Sequence, residues 1–503
     1  MAPPETDNIG ARTLQGMAWA YGSYVGGRLL VLLSTAILAR LLTPEDFGLV
    51  ALAIVMMALL DGVADLGLGS ALVIQKAEHV YERAETVFVG SVTIGLALSL
   101  AIVAVSPVAA SFFDEPALVG IASALGANFF LRSLGVTHYA LAQKQLNFRA
   151  RTVAEFADAT LRGLVGIVLA LAGFGAWSLI IGYLVGTVTR DIAIWAQIPW
   201  RPRLRPKRAH LRPLIRFGGT LSAVDIISSL ISNLDYVLIG RVLGSTSLGL
   251  YTLGFRLPEL LISNLSNVAG DVLFPAFSAI DRASIGRAFL ISLRYTAMIA
   301  LPLAIALAIL AEPLILTAFG DQWRGSIETM RIVALYSLAV SLTIPAGTMY
   351  KATGRPELLL AIAVLWLTVV AIGLVLFVDQ GIAAAAAVQA SAAGLAAVCG
   401  IGLASRLLGV SLGEIWRALV PPVAGGVATA PALLAIALLV ESPIIAVVLA
   451  AIVGPGIYLG TIALLAPETL RYLRDRMRRA SGEVEPTGEP QLPGTKSRPD
   501  LIS

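Results

Sequence analysis

Long apolar segments separated by short polar gaps constrain this chain more than any other feature of its sequence. A bilayer core about 30 Å thick requires about 20 apolar residues in a helix that rises about 1.5 Å per residue. Fourteen segments of the 503-residue chain meet that requirement, with predicted bounds of 14–40, 46–74, 86–111, 117–141, 152–173, 176–198, 214–241, 247–274, 286–311, 327–350, 357–378, 381–405, 416–440 and 443–466. We therefore expect an all-α membrane protein with about fourteen transmembrane helices.

Composition and charge exclude several other classes of protein. The chain is 57% hydrophobic and 14% charged, whereas about 25% of the residues in soluble domains are charged. The formal net charge of +4 does not indicate nucleic acid binding, because the basic residues flank apolar segments instead of forming a patch with interleaved aromatic residues. One cysteine, Cys399, and three scattered histidines predict no metal site. We expect no cofactor and no nucleic acid partner.

The distribution of basic residues predicts how the chain is threaded through the membrane. Most of the 36 Lys and Arg residues lie in the N-terminal tail, in alternate gaps and in the C-terminal tail. Loops rich in Lys and Arg stay in the cytoplasm, so both termini are predicted to be cytoplasmic. The other gaps and their edges hold Arg40, Arg241 and Arg324. Residues 471–479 resemble a basic amphipathic helix at the lipid surface, within a tail (468–503) that we expect to be mostly disordered.

The two halves of the chain contain matching strings at equivalent places. Arg40 and the following Phe47-Gly48-Leu49 match Arg241 and Leu248-Gly249-Leu250, about 200 residues later. Two further matches fall at the ends of corresponding spans: Pro107 and Phe113 with Pro313 and Phe319, and Lys144 with Lys351. These matches predict two six-helix lobes, 1–198 and 214–405, related by a parallel repeat and joined by a basic cytoplasmic linker, 199–213. Two additional helices would occupy 406–467.

Several short strings together identify a family. Residues 42–49 read LTPEDFGL, 65–72 read DLGLGSAL, 145–149 read QLNFR, 173–177 read GFGAW and 233–241 read NLDYVLIGR. In this order and on these predicted helices, the set resembles the bacterial Wzx-like polysaccharide and lipopolysaccharide flippases of the multidrug/oligosaccharidyl-lipid/polysaccharide exporter superfamily. The resemblance extends over about residues 10–355 and fades afterwards.

The resemblance implies a transporter, not an enzyme, that moves a polyprenyl-diphosphate-linked oligosaccharide across the bacterial inner membrane by alternating access. Its implied partners are the lipid-linked glycan, membrane lipids and other polysaccharide-assembly proteins. A Na⁺ gradient, an H⁺ gradient or the membrane potential would drive it. The alternative is a cation-coupled multidrug exporter of the same superfamily, for which an apolar or acidic cavity is expected. A membrane enzyme such as a glycan ligase is disfavoured because the predicted outer gaps are short.

Arginines within the predicted spans are the candidate substrate-binding residues. A charge at the bilayer centre costs at least about 3 kcal/mol, so each one needs a partner, a wet cavity or a route to the interface. Guanidinium groups stay charged and bind phosphate oxygens bidentately, which suits a diphosphate headgroup. We expect four of them to line a cationic cavity: Arg28, Arg132, Arg256 and Arg294.

Acidic residues within the spans are the ion-coupling candidates: Asp61, Asp65, Asp225, Asp235, Glu259 and Asp271. Asp61 and Asp65 are four residues apart on one helix face and repel each other if both are ionised. This leaves two hypotheses open, an Arg28–Asp61 ion pair or a site where uptake of a cation or proton relieves the repulsion. In span 8, Asn264, Asn267 and Asp271 share one helix face and predict a polar cleft.

Other charges within the spans have local explanations. The spacing of Asp158 and Arg162, and that of Arg256 and Glu259, allows pairing within one helix. The adjacent Arg190 and Asp191 point in different directions from a helix, so we predict that each has another partner.

Overall fold

The computed structural model describes residues 26–27, 30–65, 69, 72, 80–145, 147–203, 208–263, 273, 277 and 280–468. Within these ranges, the side chains of 62–65, 208–228, 230, 231, 282, 283 and 356 lie outside the described part. Every regular element in these ranges is helical, which confirms the predicted all-α class.

The α-helices of the described residues follow one another along the chain, many of them with only a few residues in between. They are α1 Leu30–Leu41, α2 Pro44–Asp65, α3 Val80–Phe113, α4 Leu118–Lys144, α5 Phe148–Leu171, α6 Ala176–Gln197, α7 Arg208–Pro258, α8 Arg282–Ile309, α9 Ala311–Ala318, α10 Ile327–Ala352, α11 Pro356–Phe377, α12 Ile382–Leu408, α13 Leu412–Leu439 and α14 Pro443–Leu465. A π-helical turn, Glu259–Ser263, follows α7, and a 3₁₀ helix, Asp321–Ser326, follows α9. The predicted gap at 312–326 is therefore largely helical.

Local signals in the sequence set several helix ends. Thr43 caps α2: its Oγ1 accepts a hydrogen bond from the backbone N–H of Asp46 at 3.2 Å, and Asp46 Oδ2 accepts one from the N–H of Thr43 at 2.9 Å. Pro44 then occupies the first helical position, where its missing N–H costs nothing. The break predicted between spans 7 and 8 is confirmed within α7 at Gly244. Its φ of 82° is a backbone conformation that glycine adopts without steric strain.

Nine helices of the described part are long and apolar enough to cross a membrane, which supports the predicted multi-pass protein. The observed bounds of most helices agree closely with the prediction, as for Ala176–Gln197 against 176–198 and Pro443–Leu465 against 443–466. Helix α5 is not among the nine because every 18-residue stretch of it contains the three charged residues Glu155, Asp158 and Arg162. The arrangement of twelve helices plus two stays a prediction, as do the domain boundaries.

The described residues divide into two compact units. Unit 1 comprises Met1–Arg256, Ala318–Thr329 and Leu367–Gln389, and unit 2 comprises the remaining segments. In unit 1, α5 packs along α6, α3 packs along α4, and α4 also packs against α6 and α2. In unit 2, α13 packs between α8 and α14. A core around Phe289, Met349 and Tyr350 fills unit 2.

The start of the basic segment after α6 is fixed to unit 1. Arg201 Nη1 donates to the carbonyl oxygens of Trp195, Ile198 and Trp200 at 3.1, 2.9 and 2.8 Å, which satisfies acceptors at the end of α6. The backbone N–H of Arg203 donates to both carboxylate oxygens of Glu85 on α3. The predicted linker therefore begins with ordered residues. Nearly all of the predicted tail, from 469 onwards, lies outside the described residues.

Candidate functional site

A cavity of about 330 Å³ in unit 1 collects charged side chains from three helices. We call it the polar cavity; its lining includes Arg132 and Tyr139 of α4, Glu155 and Asp158 of α5, and Arg190 and Asp191 of α6. These groups come together because α4 and α5 both pack against α6. A charged cavity among membrane helices marks a place where water and ions can be held inside the protein.

Arg132 forms an ion pair with Asp61 of α2. Its Nη1 lies 3.1 Å from Asp61 Oδ1, and both side chains are about half exposed. Arg132, predicted to bind substrate, thus lines the polar cavity while held by a carboxylate. Arg28 lies outside the described residues, so the predicted Arg28–Asp61 pair stays a prediction.

Arg190 and Asp191 pair with each other, and the prediction that each needs another partner was wrong. Arg190 Nε and Nη2 donate to Asp191 Oδ1 at 3.2 and 3.1 Å. Successive residues leave a helix about 100° apart, but the long Arg side chain bends back across that angle. Burial favours this contact, because neither charge can be solvated fully at this position.

Asp191 is the most buried acidic group of the polar cavity. Its residue is 7% exposed, and its Oδ2 has no hydrogen-bond partner among the described residues. Gly135 of α4 lies directly opposite: a Cβ atom added there would be 2.2 Å from Asp191 Oδ1. Glycine at 135 therefore provides the space that the carboxylate of Asp191 occupies.

Asp158 and Arg162 form the ion pair that their spacing predicts. Arg162 Nη2 donates to Asp158 Oδ1 at 2.8 Å and to Oδ2 at 2.9 Å, and Nε donates to Oδ1 at 3.1 Å. Gly186 of α6 faces the pair, because a Cβ atom there would lie 2.2 Å from Asp158 Oδ1. Asp158 lines the polar cavity, whereas Arg162 lines a second cavity.

The second cavity, of about 290 Å³, is mostly apolar and contains two guanidinium groups. We call it the arginine pocket; its lining includes Leu38, Phe47, Arg162, Ile180, Tyr183 and Arg256. The guanidinium carbon of Arg162 lies 4.2 Å from the ring centroid of Tyr183, a cation–π distance. Arg256, from α7, is one of the predicted substrate-binding residues and is half-buried here.

Glu155 belongs to a further polar cluster at the edge of the polar cavity. The hydroxyl of Tyr139 donates to Glu155 Oε1 and accepts a hydrogen bond from Arg151 Nη2 at 3.1 Å. The guanidinium carbon of Arg151 also lies 4.7 Å from the Tyr139 ring centroid. Glu155 is thus held by neighbours of both α4 and α5.

Asp235, another ion-coupling candidate, is buried elsewhere in unit 1. It is 1% exposed, and the hydroxyl of Tyr251 donates to its Oδ2 at 2.6 Å. The side chain of Gln389 lies beside the same carboxylate. The role of Asp235 in ion coupling stays a prediction, and this residue is not part of the polar cavity lining.

The structure places the remaining predicted site residues apart or leaves them undescribed. Arg294 is half-buried and Glu259 is exposed, both in unit 2. Arg256 and Glu259 fall in different units, so their pairing stays a prediction. Asp65 and Asp225 lie in helices, but their side chains are outside the described part. The predictions for Arg28, Asn264, Asn267 and Asp271 also lie outside the described residues.

Sequence reasoning missed Asp191, Asp158, Arg162 and Arg190 as members of a site. It explained Asp158 and Arg162 as a local pair and set them aside. The signal that could have found them is the placement of Gly135 and Gly186 on the facing helices, since glycine permits close approach of a bulky or polar group. No three His, Cys, Asp or Glu side chains in the described ranges are arranged to hold a metal ion.

Comparisons with known proteins agree with this architecture. Residues 37–328 match the model of a family described as "Polysaccharide biosynthesis protein". The succinoglycan biosynthesis transport protein ExoT of Rhizobium meliloti is 28% identical over 66% of this chain and 67% of its own length. The lipopolysaccharide biosynthesis protein WzxC of Escherichia coli is 26% identical over 69% of this chain and 71% of its own length.

Among solved structures, the fold is similar to that of the lipid II flippase MurJ in its inward closed conformation. The TM-score is 0.72, with 13% sequence identity over 90% of this chain and 100% of that one. At this identity the similarity establishes the fold alone.

Proposed function

This chain belongs to the polysaccharide biosynthesis protein family, and from that premise we propose that it is a transporter that moves a lipid-linked saccharide across a membrane. The main support for the proposal is the arginine pocket, a mostly apolar cavity that is lined by Arg162 and Arg256. A lipid-linked saccharide has both an anionic headgroup and an apolar chain, so a mostly apolar cavity with two permanent cations suits it.

The proposed substrate is a polyprenyl-diphosphate-linked oligosaccharide, a precursor of polysaccharide or lipopolysaccharide. Its diphosphate must leave the interface and cross a region of low dielectric, which costs free energy unless cations meet it. Guanidinium groups bind phosphate oxygens with two parallel hydrogen bonds and do not lose their charge at physiological pH. Arg162 and Arg256 are the residues we assign to that contact, with Arg28, Arg132 and Arg294 as further candidates.

The membrane is proposed to be the bacterial inner membrane, with both termini in the cytoplasm. The basic residues of the alternate gaps support this orientation, since such loops are retained on the cytoplasmic side. Transport would run from the cytoplasmic to the periplasmic leaflet by alternating access. A cation gradient or the membrane potential would drive it, and other polysaccharide-assembly proteins would supply and receive the glycan.

The cation-coupled multidrug exporter is the competing proposal. A site for cationic drugs needs acidic or apolar walls, whereas the arginine pocket is lined by two arginines, of which Arg162 is paired with Asp158 and Arg256 adds a positive charge. One experiment distinguishes the two functions. Proteoliposomes that contain the protein should transport a polyprenyl-diphosphate sugar and should not transport a lipophilic cation.

The test is a leaflet assay with purified protein and a fluorescent polyprenyl-diphosphate sugar. Arg162→Ala and Arg256→Ala should each lower the flipping rate by about tenfold or more, as expected when one charge-assisted contact to phosphate is lost. Arg417→Ala is the matched control, because Arg417 is exposed at the start of α13. Full activity of both pocket variants would contradict the assignment of the arginine pocket, and failure of the native protein to flip the lipid would contradict the function.

A further inference from the structure

Only one of the two carboxylate oxygens of Asp191 has a hydrogen-bond donor among the described residues. Arg190 donates twice to Oδ1, while Oδ2 is buried and has no hydrogen-bond partner among the described residues. A buried carboxylate oxygen without a donor costs free energy in its ionised form, and that cost disappears when the oxygen carries a proton. Asp191 lines the polar cavity, so a proton can reach it from water held there.

We propose that Asp191 is a proton-binding site of the transport cycle, and that its protonation strengthens the binding of an anion in the neighbouring arginine pocket. The inference rests on the proposed function, because it specifies which residue couples an ion to that transport. It also differs from the six acidic residues that the sequence suggested.

The occupant is a proton and not a metal cation. Arg190 donates twice to Oδ1, so Asp191 offers an added cation only its Oδ2. A metal ion would need several oxygen ligands at once. In the part of the chain that the structure describes, no three His, Cys, Asp or Glu side chains are arranged to hold one. A proton needs only a single oxygen.

Every helix packed against α6 contributes charge around Asp191. The titratable and charged groups are Asp61 on α2, Arg132 and Tyr139 on α4, Arg151, Glu155, Asp158 and Arg162 on α5, and Arg190 on α6 itself. The two charges within each ion pair compensate each other. This holds for Asp61 with Arg132, for Asp158 with Arg162, and for ionised Asp191 with Arg190. Among these three paired carboxylates, Asp191 is the one with a buried oxygen that has no donor among the described residues, and its loss of charge leaves Arg190 uncompensated.

Water supplies the proton on one side of the membrane and accepts it on the other. Asp191 Oδ2 takes one proton from water, which forms an O–H bond, and later returns it to water; no electron moves. Protonation removes one negative charge and leaves Arg190 without its counter-charge, so the region becomes more positive by one unit. The Asp158–Arg162 pair joins the polar cavity to the arginine pocket, which places the added positive potential beside the proposed anion site.

Linkage makes this effect reciprocal. If protonation of Asp191 tightens anion binding, then anion binding raises the affinity of Asp191 for a proton by the same factor. We expect the dissociation constant of the purified full-length protein for a polyprenyl-diphosphate sugar, in which neither phosphate has a free terminal group that titrates near neutral pH, to fall by about tenfold from alkaline to acidic pH. In Asp191→Asn the dissociation constant should be independent of pH.

The control variant is Asp321→Asn. Asp321 forms an exposed pair with Arg324 in the 3₁₀ helix and lines neither cavity, so its variant should keep the pH dependence of the native protein. Unchanged pH dependence in Asp191→Asn would overturn the proposal, and so would a native dissociation constant that does not vary with pH.

A second measurement needs no variant. A hydrophobic carbodiimide modifies buried carboxyl groups in their protonated form, and mass spectrometry of the native protein locates the modified residue. Modification of Asp191 that declines as pH rises, and that increases when the polyprenyl-diphosphate sugar is added, supports the proposal. Absence of modification at Asp191 at every pH would overturn it. If the native protein does not bind the lipid at all, the proposed function fails, while the labelling still decides whether Asp191 takes up a proton.

Discussion

Gly48 and Gly249 make equivalent contacts from the two matching strings of the chain. A Cβ atom on Gly48 would lie 1.8 Å from the carbonyl oxygen of Ser245, and one on Gly249 would lie 1.8 Å from the carbonyl oxygen of Pro44. The backbones of α2 and α7 therefore touch at two places. At each place, the glycine of one string faces a residue that lies a few positions before the glycine of the other string: Ser245 for Gly48, and Pro44 for Gly249. This reciprocity supports the predicted internal repeat.

Replacing either glycine by alanine should destabilise the protein. The obstructing atoms belong to the backbone and cannot rotate away, so we expect Gly48→Ala and Gly249→Ala each to cost about 3 kcal/mol, at the upper end for overpacked sites. Thermal unfolding in detergent, followed by size-exclusion chromatography, measures the effect.

The control for both glycines is Gly394→Ala in α12. A Cβ atom there meets nothing within 4 Å, so the substitution should be neutral or should stabilise the helix by up to about 1 kcal/mol. Equal melting temperatures for Gly48→Ala and Gly394→Ala would show that the contact with Ser245 is not tight.

Gly135 and Asp191 should be energetically coupled. Gly135→Ala would place a methyl group 2.2 Å from Asp191 Oδ1, so it should lower stability and disturb the Arg190–Asp191 pair. In an Asp191→Ala background the same methyl group has room, and its cost should fall. A double-mutant cycle on thermal stability should give a coupling of about 1–3 kcal/mol. Additive effects of the two substitutions would contradict the observed proximity.

The Asp61–Arg132 pair allows structural and substrate-binding roles to be separated. Exposed ion pairs contribute about 0.2–1 kcal/mol, and both side chains here are about half exposed. Arg132→Asp should therefore lower the melting temperature slightly, and the exchanged double variant Asp61→Arg with Arg132→Asp should recover it.

Flipping of a lipid-linked saccharide should not recover in the exchanged variant if Arg132 also contacts substrate, because its cation now projects from a different helix. The readout is the ratio of flipping rate to amount of folded protein in proteoliposomes. Recovery of both stability and flipping would assign Arg132 a purely structural role.

Trp323 joins the 3₁₀ helix to α1 within unit 1. It is fully buried, its Nε1 donates to the carbonyl oxygen of Ala39 at 2.8 Å, and its ring meets Phe47 edge-on at 5.1 Å. Trp323→Phe keeps most of the packing and removes one of two side-chain donors to the Ala39 carbonyl, because Gln322 Nε2 also donates there, so it should cost about 0.5–1.5 kcal/mol. Trp323→Ala should cost about 3–5 kcal/mol because it also leaves a cavity. Thermal unfolding of both variants checks the order: equal losses would contradict the packing contribution, and an unchanged Trp323→Phe variant would contradict the hydrogen-bond contribution.

Much of the fold was predictable from local signals. The apolar runs predicted the helices because only a helix satisfies its own backbone in lipid, and the turn glycines, such as Gly244, marked where runs end. The Asp158–Arg162 pair was predictable because its spacing lies within one helix. The strings around Gly48 and Gly249 were visible in the sequence, but their contact with Ser245 and Pro44 was not.

The candidate site was predictable only in part. Arg132 and Arg256 do line cavities, yet they line different ones. Arg190 and Asp191 were judged from the directions of their Cα–Cβ bonds, although the length of the Arg side chain decides their contact. Asp191 itself carried no sign in the sequence that one of its oxygens lacks a donor.

By itself the sequence determined the class of this protein, its helices and its family, because hydropathy, turn residues and short motifs are properties of neighbouring residues. Only the tertiary structure decided which charged groups share a cavity. Asp61 and Arg132 are 71 positions apart, and their pairing depends on how α2 and α4 are rotated about their axes. Membrane helices that are apolar on all sides do not specify that rotation by hydrophobicity alone, so close packing around residues such as Gly135 and Gly186 sets it instead.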